Sequence, residues 1–386
     1  MGYSSFMPPL YLAAALWASS APQDPDPAKV ESAIQAGAAF LLKKHEKGLD
    51  EDSWNSTQEL ILLSLSHAKI SMEEPILQKA LKSLETGKLW FTYRVALTAM
   101  TLQRIDPQKY QDRIAQCAQW LVDFQLSEGD WGYPGIVNAE DPPTPVATYV
   151  PSKPERKKDP KSPKDPGKLV VRRKEPAYPA KMRGDISNTQ FALLGLRACA
   201  DAGIEIPKAT WESALRYFYM TVNADGGWGY YYGGDRDKQS YGSMTFAGLT
   251  SIAICRHFLG SKDPLKDKIV QAGQLWVGRN FRVDENPFAE KSDLVDPKCW
   301  QYYYLYSIER SGRILGTDTF GKKNWYGEGA KYLLKYQRPD GCWWTGVKAV
   351  DWKQAGDLET ADTCFGILFL TKATPLLTAT KGAGEK

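Results

Sequence analysis

Short polar cues recur along the chain, each just ahead of an apolar run of helical length. Asn55-Ser56-Thr57 precedes Gln58–His67, and Ser187-Asn188-Thr189 precedes Gln190–Ala198. Ser243-Met244-Thr245 precedes Phe246–Ile254, and Ala361-Asp362-Thr363 precedes Cys364–Leu370. Side-chain oxygens at such points accept hydrogen bonds from the free N–H groups of a first helical turn. The runs are apolar nearly all round, so the helices they form are expected to be buried. Tyr93–Gln103 and Trp300–Arg310 fit the series less strictly. Between these runs lie amphipathic stretches near Pro27–Lys47, Glu73–Thr86, Tyr110–Gln125, Lys208–Val222, Pro264–Phe281 and Trp325–Gln337. Six inner and six outer helices in alternation, at a hairpin spacing of roughly 50 residues, predict an all-α closed ring, an α/α toroid of the α6/α6 barrel type.

A second repeat follows several outer helices. Gln125 is followed by Gly129-Asp130-Trp131-Gly132, and Gln337 by Asp340-Gly341-Cys342-Trp343. Asp225-Gly226-Gly227-Trp228-Gly229 is a third copy and Asp52-Ser53-Trp54 a fainter one. Asp-Gly makes a tight turn because glycine tolerates positive φ. The tryptophan is then expected to fold back across the joint between hairpins. The 13 Trp and 20 Tyr of the chain suit such joints, or the wall of a cavity.

The Gln…Asp-Gly-x-Trp pattern resembles the QW repeat of squalene-hopene cyclases and the wider prenyltransferase and squalene-oxidase repeat superfamily. The resemblance runs from about Pro27 to Ala373 and implies an α/α toroid. It leaves function open, because the superfamily includes cyclases, protein prenyltransferases and proteins of unassigned activity.

The formal net charge of +4 belongs to one segment. Residues 137–183 hold twelve Lys/Arg against six Asp/Glu, with ten prolines and almost no aliphatic residues before Leu169. Such a stretch is expected to be a disordered insertion at one rim, suited to an anionic component of the cell envelope. With a near-neutral body, nucleic acid is not an expected partner. The apolar run Met7–Ala18, followed by Ser19-Ser20-Ala21 and Pro22, reads as an export signal. The expected organisation is a signal over 1–21, toroid halves over 22–136 and 184–373 flanking the insertion, and a tail over 374–386. Six cysteines are scattered with no disulfide framework, and Cys117, Cys199, Cys255 and Cys364, inside apolar helical patterns, read as small buried residues. Three histidines, none clustered, leave no His-rich metal motif, and no cofactor is expected.

The resemblance also locates where chemistry would sit. Type II cyclases of this superfamily protonate an alkene or epoxide with an Asp-x-Asp-Asp-Thr motif at an inner-helix start. The matching stretch here is Asp185-Ile186-Ser187-Asn188-Thr189, with Ser187 at the proton donor's position. A serine supplies no strong-acid proton, which argues against cyclisation. The protein prenyltransferase pattern implies a zinc set at Asp296, Cys299 and Asp362, with one extra residue in the first segment and Asp362 where that family has histidine. The alternative roles are a rim or cap residue for Asp185, helix caps for Asp296 and Asp362, and packing for Cys299. Asp185, Asp296 and Asp362 are thus weak catalytic candidates, and Asp296, Cys299 and Asp362 weak metal candidates. The aromatic runs Trp228–Tyr232 and Trp300–Tyr304 make Trp228, Tyr230, Trp300, Tyr302 and Tyr303 candidates for ligand binding. The expected function is binding of an apolar isoprenoid-type ligand without proton-initiated cyclisation. A carbohydrate-active α6/α6 enzyme of the envelope and a non-catalytic scaffold are the alternatives.

Overall fold

The computed structural model describes residues 24–49, 58–133, 148–150, 168–171, 183–231, 239–261, 263–291, 296–347 and 358–377. The expected signal at 1–21 and the faint repeat at Asp52–Trp54 lie outside these residues. The described chain is mostly helical. In order its helices are α1 (Pro27–Lys44), α2 (Gln58–His67), α3 (Pro75–Thr86), α4 (Thr92–Ile105), α5 (Gln111–Asp123) and α6 (Ile186–Asp201). They continue as α7 (Lys208–Thr221), α8 (Gly242–Phe258), α9 (Lys268–Asn280), α10 (Gln301–Leu315), α11 (Trp325–Tyr336) and α12 (Leu358–Leu370). None of the described helices is long and apolar enough to cross a membrane.

Odd- and even-numbered helices differ as their sequences dictate. α3 buries Leu77, Ala80, Leu81 and Leu84, one stripe at helical spacing. α6 and α8 are buried on every side from their first residue through Cys199 and Cys255. The even helices contact one another in succession from α2 to α12, and α12 returns to α2. Their beginnings meet at one end, where Tyr93 of α4, Ser187 of α6 and Tyr303 of α10 share hydroxyl contacts. Their far ends meet around residues 374–377. There Arg197 of α6 donates to the Pro375 and Leu376 carbonyls, and Arg313 of α10 to the Thr374 carbonyl.

The Asp-Gly-Trp turns make the joints. In all three copies the indole N–H donates to a carbonyl ten residues back: Trp131 to Leu121, Trp228 to Phe218 and Trp343 to Leu333. In all three the tryptophan's backbone N–H donates to a threonine hydroxyl on the next even helix: Thr189, Thr245 and Thr363. Gln125 and Gln337 each tie their own turn to the next odd helix, through Thr210 O and Ala33 O. Gly341, at φ +92°, lies so close to α1 that a Cβ there would stand 2.3 Å from Ala36 O.

Within residues 137–183, where no order was expected, two short strands are described. β1 (Thr148–Val150) pairs antiparallel with β2 (Lys168–Val170), and β2 pairs parallel with β3 (Ile204–Glu205) of the α6–α7 loop. The reason is the one aliphatic run of the segment: Val171 is buried and its N–H donates to Glu205 O. A two-stranded ribbon, β4 (Thr319–Phe320) with β5 (Lys323–Asn324), precedes α11.

Candidate functional site

The even helices bring one continuous set of aromatic rings together. Tyr93 of α4 lies 6.0 Å from Tyr133 and 4.6 Å from Phe191 of α6, centre to centre. Phe191 lies 6.2 Å from Tyr303 of α10. Tyr303 and Tyr306 of α10 each lie 5.7 Å from Phe365 of α12. Tyr303, Tyr306 and Arg310 share one face of α10 at i, i+3 and i+7. The Arg310 guanidinium rests against Phe191, Tyr303 and Tyr306.

Hydroxyl groups cap this column at the helix beginnings. Tyr93 donates to Ser187 Oγ, and Ser187 Oγ lies 2.8 Å from Tyr303 Oη, which donates to Gln190 Oε1 at 3.3 Å. Tyr133 and Tyr230 meet hydroxyl to hydroxyl at 3.3 Å. Burial, reinforced by Asp185 and the neighbouring phenols, holds the Tyr93 and Tyr230 hydroxyls well above the usual phenol range. Both phenols are neutral donors at any physiological pH.

Asp185 caps α6. Its Oδ1 accepts from Asn188 N at 2.7 Å and its Oδ2 from Asn188 Nδ2 at 2.7 Å. Burial pushes its carboxyl up to about 7, against the pull of the Asn188 bonds. Asp362 sits in the second turn of α12, buried, and burial raises its carboxyl well above the usual range. Asp296 caps a turn by accepting from Lys298 N. Burial, with Asp296 and Asp362 nearby, pushes the Cys299 thiol up to about 11. Among the described residues no three His, Cys, Asp or Glu side chains converge to hold a metal ion.

The aromatic candidates separate. Tyr303 lies in the column and Tyr230 joins its hydroxyl cap. Trp228 is a joint residue, wedged against Gly248 of α8 and Gly273 of α9. Trp300 begins α10 in a left-handed conformation at φ +56°. Tyr302 is buried with Tyr332, Asp362 and Cys342 as its electrostatic neighbours. Tyr93, Tyr133, Phe191, Tyr306, Arg310 and Phe365 were not among the sequence candidates. The spacing of Tyr303, Tyr306 and Arg310 was the available signal. A separate cavity of about 300 Å³ between α2, α3, α4 and α5 has a mixed lining, with Leu84, Leu89, Trp90 and Val95 beside Arg113 and the Glu59–Arg94 ion pair at 2.9 Å.

By sequence, the chain matches no protein-family profile and no curated protein. By structure it is similar to the type II terpene cyclase MstE from Scytonema. A variant of that enzyme in complex with the substrate geranylgeranyl dihydroxybenzoate aligns over 90% of this chain and 98% of the other, at 11% identity and a TM-score of 0.50. The apo enzyme aligns over 90% and 99%, at 10% identity and a TM-score of 0.48. The likeness to the substrate complex is one of fold: this chain has a terpenoid-cyclase-like, mostly helical architecture.

Proposed function

We propose that the chain is an exported α/α toroid that holds an isoprenoid-type apolar ligand in its interior and does not start cyclisation by protonation. The aromatic column carries this reading. Five of its six rings come from α4, α6, α10 and α12, and Tyr133 follows the first Trp turn. They form one continuous aromatic array, whose ring faces offer the apolar contact and quadrupole attraction that a polyene would use. The cycle of contacts among the even helices supports the toroid. The fold likeness to a cyclase solved with an isoprenoid substrate supports the ligand class.

Two observations count against proton-initiated chemistry. Ser187 occupies the donor's position and is already bonded to two tyrosines. Arg310 places a fixed positive charge beside three rings of the column, where a carbocation would be repelled. In this reading the basic segment 137–183 would be the part that meets an anionic envelope component.

The test begins with full-length protein from its native host, extracted with organic solvent and examined by mass spectrometry. A co-purifying isoprenoid near one per chain is expected, and incubation with squalene should leave it linear. Ring-closed products, or a chain that neither carries nor takes up an isoprenoid, would overturn the proposal.

A further inference from the structure

The aromatic column contains one charge, and that charge is incompletely satisfied. Arg310 is fully buried. Its guanidinium carbon lies 4.3 Å from the Tyr306 ring centre, 5.0 Å from Phe191 and 5.3 Å from Tyr303. Nη2 donates to Ser307 Oγ at 2.8 Å. Nε and Nη1 are buried and have no hydrogen-bond partner among the described residues. Glu309, next in the chain, does not pair with it: both carboxylate oxygens accept from Thr374. Burial raises the Glu309 carboxyl to about 7, against the hydrogen bonds from Thr374 and the pull of the Arg310 and Arg313 charges.

Ring faces offset some of the cost of taking a guanidinium out of water, but they leave two N–H groups unmet. A buried donor without a partner points to a group that the described residues do not supply. Arginine meets carboxylate or phosphate with two N–H groups at once. A second donor is linked to the same tyrosine: Gln190 Oε1 accepts from the Tyr303 hydroxyl, and Gln190 Nε2 is buried without a hydrogen-bond partner among the described residues.

We propose that Arg310, with Gln190, recognises a single anionic group, a carboxylate or phosphate, carried at one end of the apolar ligand. This rests on the reading that the interior takes an isoprenoid-type molecule, and it specifies that molecule as an anionic amphiphile. Tyr303 is the gate residue. Its ring covers the guanidinium and its hydroxyl bonds Ser187, so an anion reaching Arg310 from the helix beginnings displaces that contact.

The test is calorimetric titration of the full chain with four probes: geranylgeraniol, geranylgeranic acid, geranylgeranyl phosphate and inorganic phosphate. The acid or the phosphate ester is expected to bind about ten- to a hundredfold tighter than the alcohol. Arg310→Gln should erase that preference, so that acid, phosphate ester and alcohol bind the variant alike, and Arg310→Lys should keep part of it. Equal affinity of wild-type protein for alcohol, acid and phosphate ester would overturn the proposal but leave the lipid-binding reading standing. Arg310 would then be a structural charge satisfied by internal water. Inorganic phosphate binding as tightly as its ester would overturn the amphiphile in favour of a free anion. Failure of all four probes would overturn both readings. The wild-type comparison needs no variant, so poor folding of Arg310→Gln does not blunt it.

Discussion

Asp185 and Glu309 are two buried acids with the same electrostatic problem at opposite ends of the even helices. Each carboxyl is pushed up to about 7 by burial, and each accepts two hydrogen bonds that only partly offset it. An unfolded carboxyl titrates near ~4. The folded state therefore holds the proton more tightly, and this contribution to stability is complete below pH ~4 and lost as pH rises through about 7. His67 runs the other way: burial lowers it to about 4, so its contribution grows as pH rises. Variants separate the effects. Asp185→Asn and Glu309→Gln should each gain stability relative to wild type between pH 5 and pH 8, by on the order of 2 kcal/mol, in urea denaturation. A gap that stays constant with pH would show that the carboxyl is not held protonated. At this scale the sequence reading was uneven. Asp185 was legible as a cap, because an acid before an apolar run has one obvious use. Arg310 was hidden, because a charge inside an apolar run is informative only once its neighbours on other helices are known.

The helices were the most legible elements. Gln58–His67 is both the expected run and the observed α2. The odd helices fall where amphipathic stretches were expected, with shifts at their ends that have local causes. α9 was expected from Pro264 but starts at Lys268, because Pro264–Lys266 forms a separate 3₁₀ turn and Asp267 caps the helix anew. α12 was expected from Cys364 but starts at Leu358, which places Asp362 inside the helix. The short strands escaped notice because two or three residues carry no measurable alternation. The Trp turns were legible as turns and as joints, and their glycines make a sharp prediction. Gly341 and Gly346 both have positive φ, but among the described residues a Cβ at Gly346 meets nothing within 4 Å while one at Gly341 meets the Ala36 carbonyl of α1. Gly346→Ala should cost roughly 1–2 kcal/mol for the left-handed backbone alone. Gly341→Ala should cost roughly 1–3 kcal/mol more, because α1 must move. Equal losses in denaturant unfolding would mean that the joint is looser than its geometry.

At the scale of the whole molecule, the parallel arrangement of the even helices gives the chain two unlike ends. The beginnings gather hydroxyls, Asp185 and Asn188. The far ends are crossed by residues 374–377, held by Arg197, Glu309 and Arg313. A ligand is therefore expected to enter at the beginnings and lie along the column with its anionic end at Arg310. Sequence alternation implied an all-α chain, and the mostly helical fold, similar to that of a type II terpene cyclase at 11% identity, agrees with that. The column itself was not legible, because its rings come from four helices and one turn, and which face of each helix points inward depends on how the helices are turned. The decisive measurement is a crystal structure of the full chain soaked with geranylgeranic acid. The account predicts density for the prenyl chain against Tyr93, Phe191, Tyr303 and Phe365, with the carboxylate on Arg310 and the Tyr303–Ser187 contact opened. An unchanged aromatic column, with Tyr303 still on Ser187 and the acid absent or bound elsewhere, would contradict it.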